Sequence, residues 1–166
     1  GARWDHLSGF PMRLGLLLIL ACTSCLAQDL EAAFRQDPGP LDFIRGRGEE
    51  QAILQSLTGD ALVGLGPAGE LVPRLARRWE VRKGELRFTL RHEATFPDGS
   101  QVTPKDALWT LQEVQRNPGA DPAKRQILIG ASVFVQAHQL VIRTNRPLQP
   151  FLRDLARIPI ARRDRP

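Results

Sequence analysis

The hydrophobic pattern is clearest between residues 85 and 114. Leu86, Phe88 and Leu90 alternate with Arg87, Thr89 and Arg91. A period of two sends the apolar set to one face, which predicts a half-buried strand over 85–91. Pro97-Asp98-Gly99-Ser100 follows as a turn: Pro presets φ, Asp can bond the backbone ahead, and Gly tolerates positive φ. Thr103-Pro104-Lys105-Asp106 then carries the marks of a helix start, with a capping hydroxyl, Pro at the first helical position and the acid of a capping box. Ala107, Leu108, Leu111 and Val114 continue at helical spacing, with Trp109 beside them.

The same reading extends in both directions. Residues 78–82 predict a second strand, joined to the first by the two-residue connection Lys83-Gly84. That hairpin sets Trp79 and Val81 opposite Phe88 and Leu86, with Trp79 as core. Val133 and Val135, then Leu140 and Ile142, predict another pair of strands around Ala137-His138-Gln139. Residues 64–69 read as a loop, residues 71–76 as a short turn of helix, and residues 127–130 as a short apolar run. Glu49-Glu50 opens a helix whose apolar face is Ala52, Ile53, Leu54 and Leu57. Residues 30–34 read as a first strand. Together these predict a mixed α/β fold: an antiparallel-rich sheet of hairpins with capped helices packed on it.

Composition changes little in this picture. The 166 residues suffice for one domain with a core, and 42% hydrophobic with 25% charged content is ordinary for a globular chain. The net charge of +5 is concentrated late, at Arg153, Arg157, Arg162, Arg163 and Arg165. Nucleic-acid binding calls for basic residues interleaved with stacking aromatics, and this tail has only Phe151, so a solvated Arg-rich surface is the reading.

The N-terminus has a different composition. Met12-Arg13 precedes the apolar run Leu14-Gly15-Leu16-Leu17-Leu18-Ile19-Leu20-Ala21, too short to span a bilayer. Cys25-Leu26-Ala27 then offers a small-residue cleavage site before Gln28. Residues 1–27 therefore read as an upstream extension plus a secretion signal, and residues 28–166 as the exported domain. A lipoprotein signal, with Ile19-Leu20-Ala21-Cys22 as a loose lipobox, is the alternative. Both cysteines, Cys22 and Cys25, fall in this leader, so neither a disulfide framework nor a cysteine zinc site is expected in the domain.

Catalytic chemistry finds little support. His92, Asp98 and Ser100 lie close in sequence, but their spacing arranges them around a turn instead of a nucleophile elbow. The other histidines, His6 and His138, make a multi-histidine metal site unexpected. No catalytic residue, metal ligand or cofactor is assigned.

One run of residues is more specific than any of these. Leu90, Arg91, Phe96, Asp98, Gly99, Val102, Thr103 and Asp106 resemble the signature of the family 5 extracellular solute-binding proteins, the capture proteins of peptide-type ABC importers. The upstream piece at residues 70–81, ELVPRLARRWEV, resembles that family's adjoining motif, in the expected order and separation. The resemblance covers about residues 30–160. It implies part of a periplasmic-binding-protein type II fold, with residues 148–156 helical after the second hairpin. It also implies a non-enzymatic function: capture of a peptide or related small solute for ABC permease subunits, in the periplasm, with the membrane approached only through the transporter or a lipid anchor.

The resemblance further implies that the loop after Leu41-Asp42 approaches the ligand. Arg45, Gly46, Arg47, Gly48 and Glu49 are thus the candidate ligand contacts. Glycine permits close backbone approach, and Arg47 or Glu49 could pair with a ligand terminus. Two departures stand out: Phe43 replaces a customary Pro, and Thr58-Gly59-Asp60-Ala61-Leu62 replaces an aromatic-Glu-Gly-Leu. Family members are longer and two-lobed, so this chain is expected to represent part of the first lobe. A sensor module of the same fold and an inert fragment are the alternatives.

Overall fold

The computed structural model describes residues 41–163, all within the unit Gly39–Pro166. The expected strand at residues 30–34 and the secretion signal, with Cys22 and the cleavage site after Ala27, lie outside the described residues. In chain order the elements are α1 (Gly48–Thr58), β1 (Val63–Leu65), β2 (Leu71–Pro73), β3 (Ala76–Arg82), β4 (Glu85–Leu90), α2 (Pro104–Arg116), α3 (Pro122–Ile127), β5 (Ser132–Gln136), β6 (Gln139–Arg143) and α4 (Leu148–Leu155).

The centre is a four-stranded antiparallel sheet in the order β3-β4-β6-β5. Its first hairpin closes at Lys83-Gly84, where Gly84 takes φ 67°. Trp79 pairs with Phe88 and Val81 with Leu86, as the alternation predicts. Phe88 pairs in turn with Leu140, and Leu86 with Ile142. Leu86, Phe88, Leu140 and Ile142 are fully buried in one cluster with Ala107, Leu111 and Val114 of α2. Trp79 is half-buried against this core, while Val81 sits near the hairpin end and is exposed. The opposite face of the sheet carries charge: Glu85 pairs with Arg87 at 2.5 Å and with Arg143 at 3.3 Å.

Helix α2 starts as its sequence predicts. The Thr103 hydroxyl accepts from the Asp106 amide and the Asp106 carboxylate accepts from the Thr103 amide, a complete capping box with Pro104 at the first position. Thr110 is also buried, and its hydroxyl bonds the Ala161 amide and carbonyl, fastening the end of the described chain to α2. Helix α4 follows the second hairpin as expected, burying Phe151, Leu152 and Leu155.

Three expectations need correction. Residues 71–76 are not helical: Leu71–Pro73 is strand β2, paired antiparallel with Val63–Leu65, so Gly64 and Leu65 are strand as well. Strand β2 is only three residues long, too short to show a period, and it pairs with a segment containing Gly64, where a Cβ would meet the Arg74 side chain at 2.9 Å. Second, the apolar residues of α1 face outward, with Ile53 40% and Leu57 75% exposed, while Gln51 and Gln55 are buried. These glutamines satisfy backbone and charged groups beneath the helix, as described below. Third, the second hairpin turn has two residues, not three: Ala137 and His138 both take positive φ, and Gln139 already belongs to β6. After the loop at 117–121 comes a short helix, α3, capped by the Asp121 carboxylate accepting from the Ala123 amide. It ends at Ile127, so the 127–130 run buries Ile127 and Leu128 but exposes Ile129.

Candidate functional site

The candidate loop is shaped by Asp42. Its carboxylate accepts from the amides of Ile44 (2.8 Å) and Arg45 (2.7 Å), and its carbonyl accepts from Gly46 (3.0 Å). Gln55 of α1 reaches the same carbonyl at 2.6 Å. Gly46 fills the narrowest point: a Cβ there would lie 2.4 Å from the Asp42 carbonyl oxygen and 2.5 Å from Gln51 Oε1. Only glycine fits between the loop and the helix. Gly48 begins α1 at φ 87°, a conformation other residues adopt at a cost.

Lys124 of α3 holds this loop from below. Its ammonium donates to the Phe43 carbonyl (2.9 Å) and to Gln55 Oε1 (2.8 Å). The Asp121 amide donates to the Ile44 carbonyl (3.0 Å), and Arg47 Nη2 donates to the Gly119 carbonyl (3.2 Å). Loop, α1 and α3 are thus joined by polar contacts across some seventy to eighty positions of sequence.

Beside this junction is an open cavity of about 370 Å³. Gly46, Gly48 and Gln55 line it together with Gly59 to Ala61, Val63 to Leu65 and Arg74, and Lys124 and Arg157 contribute charge. Of the five candidate residues, Gly46 and Gly48 reach the cavity; Arg45, Arg47 and Glu49 do not line it. Arg45 lies beside Gly119, Arg47 bonds it, and Glu49 is exposed in the first turn of α1.

Two of the charges around the cavity are perturbed. Burial raises the Asp60 carboxyl above its usual range, against the pull of Arg74, whose Nε lies 3.9 Å away. Burial lowers Lys124, partly offset by the negative fields of Asp121 and Asp42. Asp60, Arg74, Lys124 and Arg157 were not among the sequence candidates. The Gln51–Gln55 spacing, one turn apart on a helix with apolar residues elsewhere, was the available signal for a polar inward face. Lys124 gave none, because its partners lie 69 and 81 positions away.

The His92–Asp98–Ser100 group is a turn. Asp98 accepts from the Ser100 amide (3.0 Å) and hydroxyl (2.6 Å), and these bonds hold its carboxyl below the usual range, with help from Arg162. The Ser100 hydroxyl is therefore donated to Asp98. Among the described residues there is no group of three or more His, Cys, Asp or Glu placed to hold a metal ion, and no helix long and apolar enough to cross a membrane.

Comparison with known proteins is consistent with this architecture. Residues 70–164 match the bacterial extracellular solute-binding proteins, family 5 Middle. The chain is 30% identical over 89 residues to the periplasmic murein peptide-binding protein MppA of Escherichia coli (strain K12), a stretch covering 52% of this chain and 16% of that protein. The unliganded open form of MppA superposes with a TM-score of 0.69 at 24% identity, covering 79% of this chain and 30% of the other. The binding protein AgaA in complex with agropinic acid, from A. tumefaciens R10, superposes with a TM-score of 0.68 at 25% identity over 77% of this chain and 27% of the other. NikA from Brucella suis, in complex with Fe(III)-EDTA, shares the fold at 20% identity with a TM-score of 0.68, over 78% and 27%. The chain thus spans less than a third of these relatives, and its mixed α/β architecture is part of the periplasmic-binding-protein type II fold. With its match running through both hairpins and the capped helix, the chain belongs to the family 5 bacterial extracellular solute-binding proteins.

Proposed function

We propose that the chain builds one wall of a solute-trapping cleft that serves an ABC importer, and that Arg45, Gly46, Arg47, Gly48 and Glu49 form the ligand-facing loop of that wall. The observation that carries this reading is the cavity lined by Gly46 and Gly48, in a family of solute-binding proteins. Two glycines at its rim let an extended solute approach the backbone. Arg45, Arg47 and Glu49 stand outside the cavity, where they can meet the ends of a longer solute or the opposite wall. The solute is peptide-like or a related small molecule, supported by a murein-peptide-binding protein and an agropinic acid complex among the relatives. Permease subunits are the partners. Capture is by equilibrium binding followed by closure of a second wall, with no covalent step.

Titration of the ¹⁵N-labelled chain with dipeptides and tripeptides tests the site. Saturable shifts at the Gly46, Gly48 and Glu49 amides are expected, weakly, because a single wall holds the solute. Saturable shifts confined to another surface overturn the assignment. Export to the periplasm by a cleaved signal is part of the same reading. Mass spectrometry of the exported protein should find Gln28 at its start; a diacylglyceryl Cys22 would replace this with membrane anchoring.

A further inference from the structure

Among the described residues one charged side chain is buried: Lys124, 6% exposed. An ammonium carries three N–H donors. Two are used, on the Phe43 carbonyl and Gln55 Oε1, and both acceptors are neutral. The ion pairs of the described residues do not include Lys124. Asp42 and Asp121 act on it only through their field, which offsets its burial in part. A buried charge without a counter-ion is costly, and such groups are ordinarily paired.

The site of that imbalance is the cavity beside Gly46 and Gly48, which Lys124 itself lines. Three cationic side chains border it, Arg74, Lys124 and Arg157, against two acidic ones, Asp60 and Asp121. Asp60 is already engaged with Arg74 and with the Ala61 amide, and the Asp121 carboxylate caps α3. Neither carboxylate is within ion-pair distance of Lys124. A buried ammonium with a third N–H to place, on a residue that lines an open cavity with excess positive charge, is suited to a carboxylate oxygen. Charge-assisted bonds of this kind are about twice as strong as neutral ones.

We propose that Lys124 is an anion-recognising group of this cavity, and that the solute lying against Gly46 and Gly48 presents a carboxylate to it. This rests on the cleft reading above and adds the ligand chemistry. The solute supplies the counter-ion that the fold withholds, so recognition of its carboxylate and relief of the buried charge are one event. The same ammonium keeps its bonds to Phe43 and Gln55, so the loop stays in place while the ligand binds.

Lysine-selective labelling isolates this group, because the sequence has three lysines, Lys83, Lys105 and Lys124. Trialanine and trialanine amide are the probes, titrated against the native chain. Trialanine is expected to bind about tenfold or more tighter than its amide, the order of one charge-assisted hydrogen bond. The Lys124 side-chain nitrogen should shift on titration while Lys83 and Lys105 stay still. Lys124→Met should bring the acid down to the affinity of the amide. Equal binding of acid and amide, with shifts at Gly46 and Gly48, would remove Lys124 and leave the cleft reading intact. Acid binding that moves only Lys83 or Lys105 overturns the inference and places the solute elsewhere, as does the absence of any Lys124 response to either probe. The native-chain titration needs no variant, so a folding defect in Lys124→Met does not protect the proposal.

Discussion

Residues 85–114 and residues 41–65 are ordered by different means. In the first region each element carries its own instructions: alternation for the strand, Pro-Asp-Gly-Ser for the turn, Thr-Pro-x-Asp for the helix. Neighbours in sequence satisfy one another, and the apolar faces meet in one buried core. In the second region the loop and α1 rest on polar groups from far along the chain, the Lys124 ammonium and the Asp121 amide among them. The difference separates the sheet scaffold from the proposed site. Local codes build the scaffold, and long-range polar contacts shape the surface beside the cavity.

Substitutions can test that division. The largest effect should come from Phe88→Ala. Phe88 is fully buried between Trp79 and Leu140 in the sheet, and its loss should cost about 3–5 kcal/mol in a denaturant titration. A change below 1 kcal/mol would mean that the sheet core is not the scaffold. Gly46→Ala comes next. Its methyl group would meet the Asp42 carbonyl oxygen and Gln51, at an expected cost of about 1–3 kcal/mol. Trypsin should then cut faster after Arg45 and Arg47; unchanged cleavage would show that the loop accommodates a side chain. Thr103→Ala removes the cap of α2 and should cost about 1 kcal/mol, read as a lower Tm.

Asp98 supplies a pH-dependent case. Its folded carboxyl is depressed, so its contribution is present above the ordinary carboxylate range and is lost as pH falls through the lowered value. Asp98→Asn should flatten that acid limb of the stability profile; an unchanged limb would assign the acid sensitivity to other carboxylates. The smallest effect is expected for Leu57→Lys. This leucine points to solvent, so the stability change should stay within about 0.5 kcal/mol. A loss of the size seen for a core leucine would show that the outward face of α1 is covered in solution.

The same division explains what could be read from the residues alone. The 78–91 hairpin, its cross-strand pairs and the α2 cap were legible because period, turn chemistry and capping all point one way. Strand β2 was not, because Leu71-Val72-Pro73 is too short to show a period and pairs through a glycine. Helix α1 was legible as a helix but inverted in facing. Hydrophobicity predicts burial of Ile53 and Leu57, whereas Gln51 and Gln55 are drawn inward by the Asp42 backbone and the Lys124 ammonium. Gly46 and Gly48 could be singled out by position and by their lack of a side chain. The remainder of the cavity, Asp60, Arg74, Lys124 and Arg157, is assembled only by the fold.

The two-residue turn at Ala137-His138 has a consequence for how this chain can vary in length. Both residues take left-handed dihedrals without glycine, and the strands leave the turn with Gln136 directly opposite Gln139. Because strand side chains alternate, a single inserted residue that shifted this pairing by one would turn Val133 and Val135 to the charged side and bring Phe134 inward. Indels near this hairpin should therefore be tolerated only in pairs, while its composition can drift; an Asn-Gly replacement that keeps the count would relax the backbone and leave the register untouched.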